Sequence, residues 1–265
     1  MKTFLLTSLT ITALIVFNFS ATAQTKGEVK AVKAEEKTKS KTVGETKTNF
    51  PTVSLKPDAT PLDMAKAALK AHGGDKFKEM KTLDVRGSVD VSTSTMGQPL
   101  AGSFAMISAG DRYRLQLQTP MIVFTQTFDG EQTYSSVAGF QIPPINRIGL
   151  PILARVGDAG FVVEALPDKK RRGFRITSPE GFATDFILDE KTAQVKSYSA
   201  VYSVKGRQIT TAVEHDKFRD FDGVILPEKY SQRFDMGQMT AYASFKVKEV
   251  KVNSAVADDV FTLLQ

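Results

Sequence analysis

The sequence has no cysteine and no tryptophan, and only two of its 265 residues are histidine. Without cysteine there is no disulfide, and no acylated cysteine of the kind that anchors a bacterial lipoprotein, so the fold is held by its core. Two histidines and no thiol are too few for the several His or Cys ligands of a catalytic zinc site. A calcium loop of the Asp-x-Asp-x-Asp-Gly type is missing too. Gly157-Asp158-Ala159-Gly160 is too short for a phosphate loop. A nucleophile triad would have to draw its base from His72 or His215. His72 ends a helical stretch just before Gly73-Gly74, where a cation facing the helix dipole is expected. His215, in Glu214-His215-Asp216-Lys217-Phe218, is expected at the exposed end of a strand. Asp216, Asp220 and Asp222 cluster, but among Lys217, Arg219 and a closing Asp-Gly they have the composition of a solvated turn. Nothing here points to an enzyme or calls for a cofactor or metal.

What is present begins with an export signal. Lys2 precedes an apolar run over 4–19, and Ala21-Thr22-Ala23 fits a small-x-small cleavage site. The run is shorter than the roughly 20 residues a membrane span needs, and Thr7, Ser8, Thr10, Thr12 and Asn18 interrupt it. Residues 1–23 therefore read as a signal peptide cleaved after Ala23, which makes the protein periplasmic. Residues 24–59 are rich in Lys, Thr and Glu, with eight lysines against five acids. That composition buries too little apolar surface to offset ordering, so it reads as a disordered basic linker. It offers a contact for an anionic membrane surface, although a solvated tether is the commoner role of such runs. The formal net charge of +6 resides mostly in this tail, so nucleic acid is not an expected partner. Residues 60–265 fit one domain, expected to be monomeric.

That domain opens with a helix: Thr60 as N-cap, Pro61 at the first helical position, Asp63 three residues after the cap, and Gly73-Gly74 as the stop. Leu62, Ala65, Leu69 and His72 fall on one side, and a second short helix is expected around 75–80. From Leu83 onward the period becomes two. Leu83, Val85, Gly87, Val89 and Val91 alternate with Asp84, Arg86, Ser88 and Asp90, and Tyr113, Leu115 and Leu117 alternate with Arg114 and Gln116. Residues 125–135 form a hairpin candidate with Asp129-Gly130 near its turn. Further strands are expected over 173–178, 184–189, 194–203, 207–218, 226–234 and 239–252. Strands joined by short polar turns without intervening helices imply an antiparallel meander.

The fold expected is mainly β (α+β): a curved antiparallel sheet forming a half-open β-barrel, covered by the N-terminal helix and an apolar lid segment. The lid candidate is residues 139–153, whose prolines 143, 144 and 151 forbid an ordinary strand or uninterrupted helix, yet which is far more apolar than a connecting loop should be. Phe140, Ile142, Ile145, Ile148 and Leu150 are its large side chains. Phe104, Met106, Leu115, Leu117, Phe124, Phe128 and Tyr134 sit at alternating strand positions, as do Phe186, Leu188, Tyr198 and Tyr202. Such positions are ordinarily packed core; together with a movable apolar cover they are the candidate lining of a ligand cavity. A membrane-spanning barrel is disfavoured, because several strands are short, there is no aromatic girdle tryptophan, and the chain ends Leu-Leu-Gln.

The chain resembles the LolA/LolB-type outer-membrane lipoprotein-sorting carriers and receptors. The resemblance rests on the exported start and ALKAHGG at 68–74, followed by KFKEMKTLDVRGSV at 76–89, GDRYRLQL at 110–117 and FDGEQTY at 128–134. FRDFDGVILPEKY at 218–230 and FKVKEVKVNSAVADDVF at 245–261 complete the order. It implies an open barrel of about eleven antiparallel strands that binds the acyl chains of lipids or lipoproteins without chemistry. The acylated cysteine of the receptor type is missing, and the long basic linker is a departure from the pattern. The resemblance also implies an arginine latching the lid, for which Arg112, Arg114 and Arg147 are candidates, the first two expected to face water. The alternative is a non-catalytic envelope scaffold or protein-interaction module of the same fold. A hydrolase would need convergent carboxylates in a cleft.

Overall fold

Among the described residues, twelve antiparallel strands form one continuous sheet. The structure, a computed structural model, describes residues 50, 53–121, 123–137, 145–204, 206–235, 237 and 239–262. The export signal, most of the basic linker, and Phe140 and Ile142 of the apolar segment lie outside the described residues. The helices are α1 (Pro61–Ala71) and α2 (Asp75–Lys78). The strands are β1 (Thr82–Thr93), β2 (Leu100–Ala109), β3 (Arg112–Gln118), β4 (Val123–Phe128), β5 (Thr133–Ser135) and β6 (Val162–Glu164). They continue as β7 (Gly173–Thr177), β8 (Ala183–Leu188), β9 (Val195–Val204), β10 (Arg207–Phe221), β11 (Val224–Asp235) and β12 (Thr240–Val252). Two 3-10 helices, Leu150–Arg155 and Asp258–Phe261, are also found among the described residues. The count is one strand above the expected eleven, and the short β6 lies in a region read as strandless.

The strand order is β5-β4-β3-β2-β1-β12-β11-β10-β9-β8-β7-β6. Each pair of neighbours is consecutive in the chain except β1 and β12, which zip together from Leu83 opposite Val252 to Thr93 opposite Ala241. Two meanders are thus joined along the first and last strands, and the sheet's edges are β5 and β6. A chain that leaves one edge and resumes at the other must cross the opening between them. The described residues of this crossing segment, between the two edges, are 136–137 and 145–161, and prolines 143 and 144 of the apolar stretch lie outside the described residues. Neighbouring strands rotate by about 20–25°, so the seven steps from β2 to β7 accumulate roughly 150°. This carries the β2–β3 turn and the β7–β8 turn to the same end of the molecule.

The helix α1 is started by a reciprocal cap, in which the Thr60 hydroxyl accepts from the Asp63 amide and the Asp63 carboxylate accepts from the Thr60 amide. Its buried stripe is Met64, Ala65, Ala68, Ala71 and His72, rotated from the expected one, and Leu62 is 40% exposed. Alanines dominate the stripe because the helix lies close against β6, β7 and the Leu150–Arg155 turn. Its end is fixed by a close approach: Gly73 has φ +117°, and a Cβ there would come within 2.3 Å of the Gly223 carbonyl oxygen in the β10–β11 turn.

His72 corrects the expectation of an exposed cation. It is fully buried, its Nδ1 lies 2.8 Å from the Ile225 carbonyl oxygen, and its Nε2 accepts from the Val195 amide at 3.1 Å. A carbonyl accepts only, so the proton is on Nδ1 and the ring is neutral. Burial lowers its pKa to about 4, against the opposing hydrogen bond to Ile225. One imidazole therefore ties the end of α1 to the first residue of β9 and the second of β11.

Candidate functional site

The helix fills only part of the sheet's inner face. Over β7 and β8, Phe174, Ile176, Phe186 and Leu188 pack with Ile152 and Leu153 and with α1 into a solid core. Over β1–β4 and β9–β12 the inner side chains are not filled in by α1, and a cavity of about 930 Å³ remains, bordered by Phe77 of α2 and by the Leu150–Arg155 turn. Its size is near the top of the range for small-molecule sites.

Ten of the sixteen candidate residues line it. Phe104, Met106, Leu115, Leu117 and Phe124 come from β2–β4, Tyr198 and Tyr202 from β9, and Ile145, Ile148 and Leu150 from the crossing segment. Phe186 and Leu188 belong to the solid core instead, because α1 reaches them. Phe128 is buried in a stack with Tyr113, their ring centroids 6.0 Å apart. Tyr134 pairs with Thr127, and Phe128 with Thr133, so Tyr134 is on the sheet face opposite Phe128. The larger omission was the last two strands, β11 and β12. Tyr230, Gln232 and Phe234 of β11, and Ala241, Ala243 and Phe245 of β12, also line the cavity. Their period-two spacing is the same signal that marked β2–β4.

His215 is another correction. It lies inside β10, half-buried on the cavity wall among Tyr198, Phe218 and Tyr230, with ring centroids 5.7, 5.4 and 6.4 Å away. Its Nδ1 is 2.6 Å from the Val195 carbonyl oxygen, so it donates there, and desolvation lowers its pKa to about 4. Burial likewise pushes the Tyr198, Tyr202 and Tyr230 hydroxyls up, leaving all three protonated. The deep wall is therefore uncharged at neutral pH. The charged lining residues, Lys78, Lys81, Asp111, Arg155 and Asp158, come from α2, the α2–β1 connection, the β2–β3 turn and the end of the crossing segment.

The crossing segment is both plug and cover. Pro151 is tolerated because it falls in the first turn of the short 3-10 helix, where an amide has no helical partner. Ile152 and Leu153 are fully buried, whereas Ile145 and Ile148 are half-buried and face the cavity. Gly149 has φ +75°, and a Cβ there would lie 2.8 Å from the Tyr198 ring. Charges fasten the segment at its ends. Arg147 reaches Asp111 at 3.8 Å and Glu180 at 3.3 Å, joining the β2–β3 turn to the β7–β8 turn. The Asn146 amide donates to the Asp111 carbonyl at 2.8 Å. Arg155 pairs with Asp158 at 2.7 Å, and Lys78 with Asp158 at 3.3 Å. Burial works to raise the Glu180 pKa, but Ser178, the backbone, Arg147 and Arg155 hold it below its usual value.

Of the three latch candidates, Arg147 is the one on the crossing segment. Arg112 and Arg114 do not simply face water. Arg112 pairs with Asp258 at 2.8 Å and lies over the Phe261 ring, and Arg114 donates to the Val260 carbonyl, so both hold the C-terminal 3-10 turn. Asp258 serves as that ion-pair partner and caps no amide there. Asp216 and Asp220 are exposed, and Asp222-Gly223 forms the β10–β11 turn with φ +56° and +87°. In the basic run at 169–172, Arg172 donates to the carbonyls of Lys56 and Pro57. Leu55 and Ala59 pack on the core just before α1. Among the described residues no three His, Asp or Glu side chains gather as metal donors.

No family model matches the sequence, and no curated protein does. Among solved structures the chain is similar to a LolA superfamily protein from Nitrosomonas europaea, at 10% identity and a TM-score of 0.44, over 77% of this chain and 98% of that one. It is similar to a DUF1329 family protein from Desulfovibrio piger at 10% identity and a TM-score of 0.46, over 76% and 95%. A putative outer membrane lipoprotein-sorting protein domain from Vibrio parahaemolyticus matches at 10% identity and a TM-score of 0.40, over 67% and 88%. At this identity the likeness is one of backbone architecture.

Proposed function

We propose that this protein is an exported carrier that holds the acyl chains of a lipid or lipoprotein in its half-barrel and releases them unchanged. The observation that carries this is the cavity of about 930 Å³, walled by apolar side chains from eight strands and covered by an apolar segment. Burying an acyl chain there is favourable by about 0.8 kcal/mol per methylene, so a partly inserted chain gains several kcal/mol, and binding stays reversible. The packed-scaffold alternative expects no void behind residues 145–153, and the void argues against it. In this reading the protein works in the periplasm as a monomer after cleavage behind Ala23. The basic linker is then a tether that contacts anionic membrane surface. The test is mass spectrometry of an organic extract of the protein purified from its native envelope. Acyl lipid in stoichiometric amount supports the carrier, and protein that emerges lipid-free and fails to take up an added acyl probe refutes it.

A further inference from the structure

The cavity is not uniformly apolar, and its exceptions are grouped. Tyr198 from β9, His215 from β10 and Tyr230 from β11 stand side by side on the inner wall, where His215 pairs with Tyr230 across the sheet and both tyrosine rings contact the imidazole. Among the described residues neither tyrosine hydroxyl has a hydrogen-bond partner, although both rings line the cavity. The His215 proton is committed to the Val195 carbonyl through Nδ1, so its Nε2 is left as an acceptor. Phe218, Phe245 and Gly149 close in around them, Phe245 stacking on Tyr230 at 4.6 Å and Gly149 leaving just enough room for the end of Tyr198. Polar groups at an apolar wall cost free energy unless they are hydrogen-bonded. A cavity serving only as a hydrocarbon sleeve would be cheaper with phenylalanine at both tyrosine positions.

We propose that Tyr198, Tyr230 and His215 form a hydrogen-bonding station inside the cavity that receives an uncharged carbonyl group of the occupant, making the ligand an oxygenated acyl lipid and not plain hydrocarbon. The inference rests on the carrier reading and adds the chemistry of its cargo. Two phenolic O–H donors suit the two lone pairs of a carbonyl oxygen. The station carries no cation, and the charged lining residues lie on α2, the α2–β1 connection, the β2–β3 turn and the end of the crossing segment, so an ionised headgroup belongs there and a neutral carbonyl at the station. The same donors serve the carbonyl oxygen of an acyl ester or of the protonated carboxyl of a fatty acid. The acid's O–H adds a donor for Nε2 of His215.

The test is displacement of N-phenyl-1-naphthylamine, a probe with no carbonyl, from the full chain by dodecane, methyl undecanoate and lauric acid. The ester is expected to compete about tenfold better than dodecane, the equivalent of one or two net hydrogen bonds. In Tyr198→Phe and Tyr230→Phe, which keep the ring volume, the ester-to-dodecane ratio is expected to fall towards one, fully so in the double variant. Lauric acid competing better at pH 5.5 than at pH 8 assigns the station to the protonated acid as well; an acid response flat with pH confines it to esters. Equal competition by dodecane and ester in the unsubstituted chain, or a ratio untouched in the double variant, overturns the station while leaving the carrier standing. Failure of the probe and of all three competitors to bind removes the carrier itself.

Discussion

His72 shows how one side chain organises this fold. Its two ring nitrogens satisfy the Val195 amide and the Ile225 carbonyl, and its own carbonyl accepts from the Ile225 amide. Replacing it with alanine leaves a buried donor and a buried acceptor unpaired beside a void. The expected cost is about 3 kcal/mol, read as a lower midpoint in urea unfolding. His72 and His215 also set a pH dependence. Both titrate near 4 in the fold, against an ordinary value near 6.5. Between those values the unfolded chain binds more protons, so stability is complete above about pH 6.5 and falls as pH drops towards 4. The slope reaches about 1.4 kcal/mol per pH unit for each imidazole. Urea midpoints that stay level between pH 7 and pH 4.5 would show that the fold does not hold the two rings neutral. Gly149 is the third such position: alanine there meets both a left-handed φ and the Tyr198 ring, and should lower stability by about 1–3 kcal/mol in the same assay.

At the scale of elements, the crossing segment carries two jobs on one short stretch. Ile145→Ser with Ile148→Ser alters half-buried side chains at the cavity, so acyl-probe affinity should fall several-fold while the unfolding midpoint moves little. Ile152→Ala removes a fully buried side chain and should cost about 3 kcal/mol. If the serine pair unfolds the protein as Ile152→Ala does, the cover is merely core. Arg147→Ala loses pairs whose acids are themselves 42% and 55% exposed, so its cost in stability should be about 1 kcal/mol or less. Its clearer effect should be faster hydrogen exchange over residues 145–155, since the two turns are no longer joined. Much of this level was legible in the sequence. Alternation located the ends of β7, β8, β9 and β12 to within a residue or so, because half-buried strands must repeat every second residue. The helix stop was legible in Gly73-Gly74. The burial of His72 and His215 was not, since each is made by strands more than a hundred or some twenty residues away. Nor did alternation separate Phe186 from Tyr198, neighbours on adjacent strands. Only the reach of α1 makes one a core residue and the other a cavity wall.

At the scale of the molecule, the topology explains why a loop is so apolar. The sheet's edges are the middle strands β5 and β6, so the chain's midpoint must cross the mouth of the half-barrel. A polar connection would leave the inner wall wet, whereas the apolar residues 145–154 pack Ile152 and Leu153 into the core and turn Ile145 and Ile148 to the cavity. The helix is too short to fill what remains, and the unfilled part is the cavity. The central claim is that this void is the binding site, and a side chain that occupies it tests that claim most directly. Ala241 is half-buried on the inner face of β12, opposite Thr93 and Phe234, and lines the cavity without belonging to the solid core. The measurement is the affinity of a fluorescent acyl probe for the unsubstituted chain and for Ala241→Trp, each shown to be folded by its unfolding midpoint. The account predicts saturable binding by the first and a loss of at least tenfold in the second. Equal affinity in the two, with both folded, would contradict it.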